Sequence, residues 1–392
     1  MDKRQIYLDN SATTRMCDEA IDAYVSVSRE HFGNPSSLHS VGHDAEKIIK
    51  DAAASLLTAL YTERGEIIFT ASGTEANNLA IVGRAHAKER FRRSAKIVTT
   101  LGEHASVNAP LEMLSKEGVK VAKIPTTGGE IDLAALRKEL TRDTVLVTLM
   151  LVNNETGAVY NIPEAARLVR ELAPDAYLHV DATQGFLKIP FSPAGLGADM
   201  VTVSAHKIRG PKGVGALYIS DRVKTEHGIA PIILGGGQAM GLRSGTENVP
   251  GIAAFGAAVR IGHERLKENI SALEQMRDAL IDSLGNDSEL GEIKVVTPPM
   301  HAPHIVNLTL PSIKSETMLH YLSSEGIYVS SGSACSSNSG HKSEALIAFG
   351  RSEAEADCSI RVSFGAENTL SDVEALAKAL KSGLMRLARI KK

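Results

Sequence analysis

Short apolar runs alternate with amphipathic stretches over roughly the first 250 residues. Glu66-Ile67-Ile68-Phe69-Thr70 precedes a helical pattern over 75–90, and Lys96-Ile97-Val98-Thr99 precedes another over 105–117. Further strand-like runs fall at 119–124, 144–151, 177–181, 199–204 and 214–219. Strands separated mostly by single helices predict right-handed crossovers and an α/β fold with a mostly parallel, seven-stranded sheet flanked by helices. Ligands of such sheets gather at the C-terminal strand ends. After Gly251 the pattern changes: one long amphipathic stretch runs to about Leu284, with strands near 292–296 and 304–310 and helices at 315–325 and 371–388. This predicts a large domain over 15–260 and a smaller α+β domain made of 1–14 and 261–392, the long helix connecting them.

Composition narrows the function. Lys and Arg (43) nearly balance Asp and Glu (46) and are scattered among them, so nothing steers the chain to nucleic acid or an anionic membrane. A hydrophobic share of 43% excludes disordered and collagen-like classes. The N-terminus reaches Asp9-Asn10-Ser11 after three apolar residues, leaving no room for a signal sequence, and no apolar run is long enough to span a bilayer, so a cytoplasmic location is expected. Cys17, Cys335 and Cys358 lie far apart without ligand-spaced histidines; they are expected to be free thiols rather than a zinc site.

Three segments could carry chemistry. Ser72-Gly73-Thr74-Glu75 follows a strand and opens a helix, where free N–H groups and the positive dipole end favour an anion. Alone, it reads equally well as an ordinary N-cap. Tyr177-Leu178-His179-Val180-Asp181 places a carboxylate at the end of an apolar strand, where it needs a cation or donors, although Asp181 capping the next turn is the simpler alternative. Ser204-Ala205-His206-Lys207 puts a lysine in a turn after a later strand, a setting for a Schiff-base amine, though most turn lysines are merely solvated. Together and in this order, the three are the attachment points that pyridoxal phosphate uses.

These residues resemble a known family. Tyr7-Leu8-Asp9-Asn10-Ser11-Ala12-Thr13-Thr14, Phe32-Gly33-Asn34-Pro35-Ser36-Ser37, Thr74-Glu75-Ala76-Asn77-Asn78, Glu103-His104 and Asn153-Asn154-Glu155-Thr156-Gly157 stand in the first half. His179-Val180-Asp181-Ala182-Thr183-Gln184, Ser204-Ala205-His206-Lys207, Arg243-Ser244-Gly245-Thr246, Ser330-Ser331-Gly332-Ser333-Ala334-Cys335 and Ile360-Arg361-Val362-Ser363 follow. The chain thereby resembles the cysteine desulfurases of the NifS/IscS type, within the class V, fold-type I aminotransferase group. The Ser-Ser-Gly-Ser-Ala-Cys segment is the family-specific part.

The resemblance implies pyridoxal 5'-phosphate as cofactor, with Lys207 as its Schiff-base lysine and later proton shuttle. Asp181 is implied to pair with the pyridinium nitrogen, His104 to stack on the ring and relay protons, and Gln184 to bond the phenolic oxygen. Gly73, Thr74, Ser204 and His206 are implied to hold the phosphate, with Thr246 reaching in from a second subunit of a homodimer. Asn154 and Arg361 are implied to bind the substrate carboxylate, the arginine as a bidentate fork. Cys335, in a loop over about 330–342, is implied to be the nucleophile that takes sulfur from L-cysteine as a persulfide and leaves L-alanine. Partners implied are a sulfur acceptor or iron–sulfur scaffold protein; no resident metal is implied, only transient ligation of a cluster by Cys335.

Some positions depart from the pattern. Thr70-Ala71-Ser72-Gly73-Thr74 stands where many relatives have Thr-Ser-Gly-Ala-Thr, Arg15 replaces a common proline and Arg209 a common tyrosine. The last helical pattern runs close to Lys392, and the extension that housekeeping relatives use to dock their scaffold is therefore expected to be missing. His31, His39, His43, His179, His301, His304 and His341 are read as satisfied or solvated, with His39 and His43 closest to the expected site. Cys17 and Cys358 are read as structural. The alternatives are an aminotransferase, lyase or selenocysteine lyase on the same fold, or an inactive sulfur-relay scaffold.

Overall fold

The structure, a computed structural model, describes residues 4–87, 95–331 and 343–390. Cys335, His341 and the expected loop beyond Ser331 lie outside them. In chain order the strands are β1 (Ile6–Tyr7), β2 (Glu66–Thr70), β3 (Lys96–Thr100), β4 (Lys120–Ile124), β5 (Thr144–Met150), β6 (Tyr177–Asp181) and β7 (Met200–Ser204). They continue with β8 (Gly215–Ile219), β9 (Lys294–Val295), β10 (Ile305–Thr309), β11 (Ile327–Tyr328), β12 (Ser330–Ser331) and β13 (Ser359–Ser363). The main sheet runs β2-β8-β7-β6-β5-β3-β4 and is parallel except for β8, which is antiparallel to both neighbours. It is the seven-stranded, mostly parallel sheet that the apolar runs predict.

Those runs are continuous rather than alternating because both faces of the sheet are covered. Phe69, Val98, Leu178, Val180, Val201, Val203, Ala216 and Tyr218 pack into one core. Their neighbours Ile68, Ile97, Tyr177, Met200, Leu217 and Ile219 pack into the opposite one. Helix Gly73–His86 covers the second face, and Arg84 anchors it there: it donates to the carbonyls of Val145, Gly228 and Asp175 at 3.0–3.1 Å. Its guanidinium lies 3.7 Å from the centre of the Tyr177 ring.

The smaller sheet, β12-β13-β10-β9, packs Val306, Leu308, Ile360 and Val362 against helices Leu266–Asn286, Ser315–Ser324 and Leu370–Ile390. Ile6 and Leu8 join this core, and β1 pairs in parallel with β11. The single amphipathic stretch expected after Gly251 is two helices, Val249–Glu264 and Leu266–Asn286, meeting at Arg265. The break has a packing cause. Leu266 is buried in the core of the large sheet, whereas Leu273, Met276, Leu280 and Leu284 are buried in the other, and one straight stripe cannot face both. Two further helices, Asp18–Glu30 and Ser40–Ala59, precede the sheet and are not among the elements read from the sequence. No described helix is long and apolar enough to cross a membrane.

Replacing Arg84 by alanine removes three hydrogen bonds, two of them buried, so Arg84→Ala is expected to lose on the order of 3 kcal/mol of stability, read as a lower Tm and urea midpoint.

Candidate active site

Polar side chains collect where β6 and β7 end. Ser72 caps helix Gly73–His86, its Oγ accepting from the Glu75 N–H at 3.2 Å. The turn is pressed onto the sheet: a Cβ on Gly215 would lie 2.4 Å from the Ser72 carbonyl carbon, and one on Gly73 would lie 3.2 Å from Ser204 Cβ. At 215 any side chain would collide with backbone, so glycine there is a steric requirement, whereas at 73 the contact is only tight. Ser204 is buried, and its Oγ has no protein partner. Thr74 is exposed at the helix start. The His206 ring stands 3.1 Å from Thr13 Oγ1, and burial together with Lys207 and Lys212 lowers its pKa to about 4.

Asp181 is buried at the end of β6. Its Oδ2 accepts from Asn77 Nδ2 at 2.8 Å and its Oδ1 from the Thr183 N–H at 3.0 Å, so it does cap the following turn. Both donors are neutral. Asn77 Nδ2 also donates to Ser106 Oγ at 2.9 Å, which lies 2.8 Å from His104 Nδ1. Because Ser106 Oγ accepts from Asn77 and the Ser106 N–H also points at Nδ1 (3.1 Å), Nδ1 is an acceptor and the ring proton resides on Nε2. Burial lowers the His104 pKa, keeping the ring neutral, although Asp181 pulls the other way.

Lys207, in the short turn after β7, donates to the carbonyls of Ser11 (2.6 Å) and Ala12 (2.9 Å). Gln184 Nε2 donates to the same Ser11 carbonyl at 2.9 Å. The N-terminal segment thus passes through the site. Arg361, on β13, pairs with Asp9 Oδ1 at 2.8 Å and donates to the Asn154 main-chain carbonyl at 2.9 Å; its Nε is buried without a partner. Burial raises the Asp9 pKa, opposed by Arg361 and Lys207.

Gly73, Ser204, Asp181, Gln184, His206, Lys207 and His104 therefore lie on adjoining strand ends, with Arg361 joined through Asp9 and Asn154. Thr246 stands apart: it is exposed, lining a surface hollow with Thr70, Ala71, Gly213 and Arg243. His179 is satisfied as expected, between Thr148 Oγ1 (2.8 Å) and Thr202 Oγ1 (3.0 Å). His304 is not: it is buried with neither ring nitrogen partnered, because it lies between Ala302 and Ile305, which are buried in the core of the large sheet. Reading residues one at a time misses Asp9, Asn77 and Glu103 as participants. Asp9 had a usable signal, an acidic residue closing the apolar run Ile6-Tyr7-Leu8, whereas Asn77 and Glu103 acquire partners only across the sheet. Cys17 is buried at the start of helix Asp18–Glu30, and among the described residues no cluster of His, Cys, Asp and Glu could hold a metal.

These residues fit pyridoxal phosphate. The unpartnered Ser204 hydroxyl and the free N–H groups of a 14-residue helix suit its phosphate, and a buried carboxylate with only neutral donors suits its pyridinium. The model of the Aminotransferase class-V family matches residues 6–376. Cysteine desulfurase IscS 1 of Archaeoglobus fulgidus is 36% identical over 382 residues, 97% of each chain. Cysteine desulfurase IscS of Dictyoglomus turgidum is 36% identical over 390 residues, covering 99% of this chain and 96% of its own. Among solved structures, a NifS-like protein superposes with a TM-score of 0.89 at 35% identity, covering 97% of this chain and 100% of that one. SspA in complex with cysteine gives 0.79 at 29% identity, covering 92% and 98%.

Desolvated histidines set an acid limit. His179, His206 and His301 have folded pKa values lowered to about 4 from 6.5, so their stabilising effect is complete above the unfolded value and is lost as pH falls from about 6.5 through 4. Thermal unfolding at pH 7 and pH 4.5 is expected to show a steep drop in Tm, and a smaller one in His179→Asn.

Proposed function

The chain belongs to the class-V aminotransferase family as a pyridoxal-phosphate-dependent cysteine desulfurase, and from that premise we propose which of its residues carry the reaction. Bound pyridoxal phosphate supplies an electron sink that labilises bonds at the substrate's α- and β-carbons. Asp181 holds a positive charge on the ring nitrogen and keeps that sink effective. The Ser72–Thr74 turn, Ser204 and His206 would hold the phosphate, and Gln184 would bond the ring's phenolic oxygen. Lys207, held on the Ser11 and Ala12 carbonyls, would hold the cofactor and move protons at its Nζ. His104, neutral with its proton on Nε2, would cover the ring and have that proton to donate.

Arg361 binds the carboxylate of L-cysteine, aided by Asn154. Asp9 and the Asn154 carbonyl fix two of its N–H groups and leave the rest for substrate. Cys335 attacks the substrate sulfur as a thiolate: its Sγ forms an S–S bond, the substrate Cβ–S bond breaks, and that electron pair stays on carbon, which is protonated to give L-alanine. The persulfide then passes to a sulfur acceptor or an iron–sulfur scaffold protein. What most supports this reading is the buried Asp181, held by neutral donors one strand away from Lys207.

The proposal extends to organisation. Residues 15–260 form the cofactor domain, and residues 1–14 with 261–392 the domain that carries Arg361 and Cys335. The enzyme acts as a homodimer in the cytoplasm, with Thr246 reaching the partner's phosphate. The exposed apolar residues Phe32 (78%), Leu38 (100%) and Leu234 (81%) support an assembly that covers them.

Lys207→Ala is expected to lose the covalent chromophore, whereas Cys335→Ala keeps it and releases no sulfide from L-cysteine. Alanine and sulfide assays on purified protein check both, and an active Cys335→Ala sinks the persulfide route. Arg361→Lys is expected to weaken cysteine binding by about 1–3 kcal/mol, read from a spectral titration.

A further inference from the structure

Glu103 is a buried carboxyl for which the reaction above has no use. It precedes His104 in the turn that joins β3 to helix Ala105–Lys116. Its Oε1 accepts from Thr100 Oγ1 at 2.6 Å, where β3 ends, and from the Met150 N–H at 3.0 Å, where β5 ends. Met150 in turn is the register partner of Asp181 on β6. The Glu103 main-chain carbonyl accepts from Asn108 Nδ2 at 2.9 Å, so the residue is held from its side chain and its backbone at once. Both hydrogens at Oε1 are donated to it; the carboxyl's own proton therefore belongs on Oε2, which is buried and has no protein partner.

We propose that Glu103 is a positioning residue for His104: its carboxyl ties the 101–104 turn to the ends of β3 and β5 and so sets where the imidazole stands relative to Asp181. The proposal rests on the reading of His104 as the residue that covers the cofactor. Two consequences separate this role from simple packing. The tie is made with a neutral carboxyl, so an amide of the same shape replaces it and a methyl group does not. Ionisation would also add a second buried negative charge beside Asp181. The groups facing Glu103 are Asp181 from β6, Lys123 from β4 and the Tyr160 phenol; burial, reinforced by Asp181, outweighs the Thr100 and Met150 donors and Lys123 and raises the Glu103 pKa to about 8. A folded value above the unfolded 4.5 means that the unfolded chain ionises first, so stability declines as pH rises from about 4.5 through 8.

The test compares wild type, Glu103→Gln, Glu103→Ala and His104→Gln. With cofactor loaded, Glu103→Ala is expected to keep the cofactor absorbance and a KM for L-cysteine within about threefold, and to lose about 10- to 100-fold in kcat. Glu103→Gln is expected to stay within about threefold of wild type in kcat. Without cofactor, wild type should lose Tm between pH 6 and pH 9 more steeply than Glu103→Gln. Wild-type kcat in Glu103→Ala while His104→Gln is impaired overturns the proposal alone, as does a Glu103→Gln as slow as Glu103→Ala. Full turnover by His104→Gln instead sinks the reading of His104, and this proposal with it. Should Glu103→Ala not fold, Glu103→Asp, too short to span both strands, replaces it with the same kcat loss expected.

Discussion

Because both faces of the main sheet are sealed by apolar packing, polar chemistry has one place to go. Apart from Thr148, His179 and Thr202, which satisfy one another, side chains along β5, β6 and β7 enter one core or the other, and a charged group there would face hydrocarbon. At the C-terminal edge the strands stop, loops and helix starts bring N–H groups and hydroxyls, and a carboxylate such as Asp181 can be paid for by hydrogen bonds. The same edge receives the start of helix Gly73–His86 and the Lys207 turn. Donors, an anion and a cation therefore converge without any strand being interrupted.

The edge is organised by chains of hydrogen bonds more than by isolated pairs. Asp181, Asn77, Ser106 and His104 form one chain, and its donor order fixes the imidazole tautomer. Arg361, Asp9 and the Asn154 carbonyl form another, which keeps a buried guanidinium aimed while part of its fork is left over. The second chain joins three distant segments: the N-terminus, the turn after β5 and strand β13. An arginine held only by one partner would cost more to bury and would be less well directed.

The N-terminal segment has a double loyalty. Ile6 and Leu8 belong to the core of the smaller sheet, while Ser11, Ala12 and Thr13 contact Gln184, Lys207 and His206 at the edge of the larger one. A few residues thus couple the two cores through the site. Arg265 marks a second such junction, where one amphipathic stretch turns from one core to the other.

By itself the sequence determined the strand runs, their mostly parallel arrangement and the individual residue types at their ends. Continuous apolar runs are local signals of two-sided burial, and Asp181 and Lys207 each close a run that can be read in isolation. It also determined the family resemblance, through motifs spread along almost the whole chain. Tertiary structure alone decided which groups meet. Asn77 and Ser106 sit on different helices, Thr100 and Met150 on different strands, and Asp9 lies 352 positions from Arg361. Hydrogen bonds act over about 3 Å of space and carry no mark in local periodicity, so Asn77 and Glu103 look like ordinary helix and turn residues until the sheet brings their partners into range.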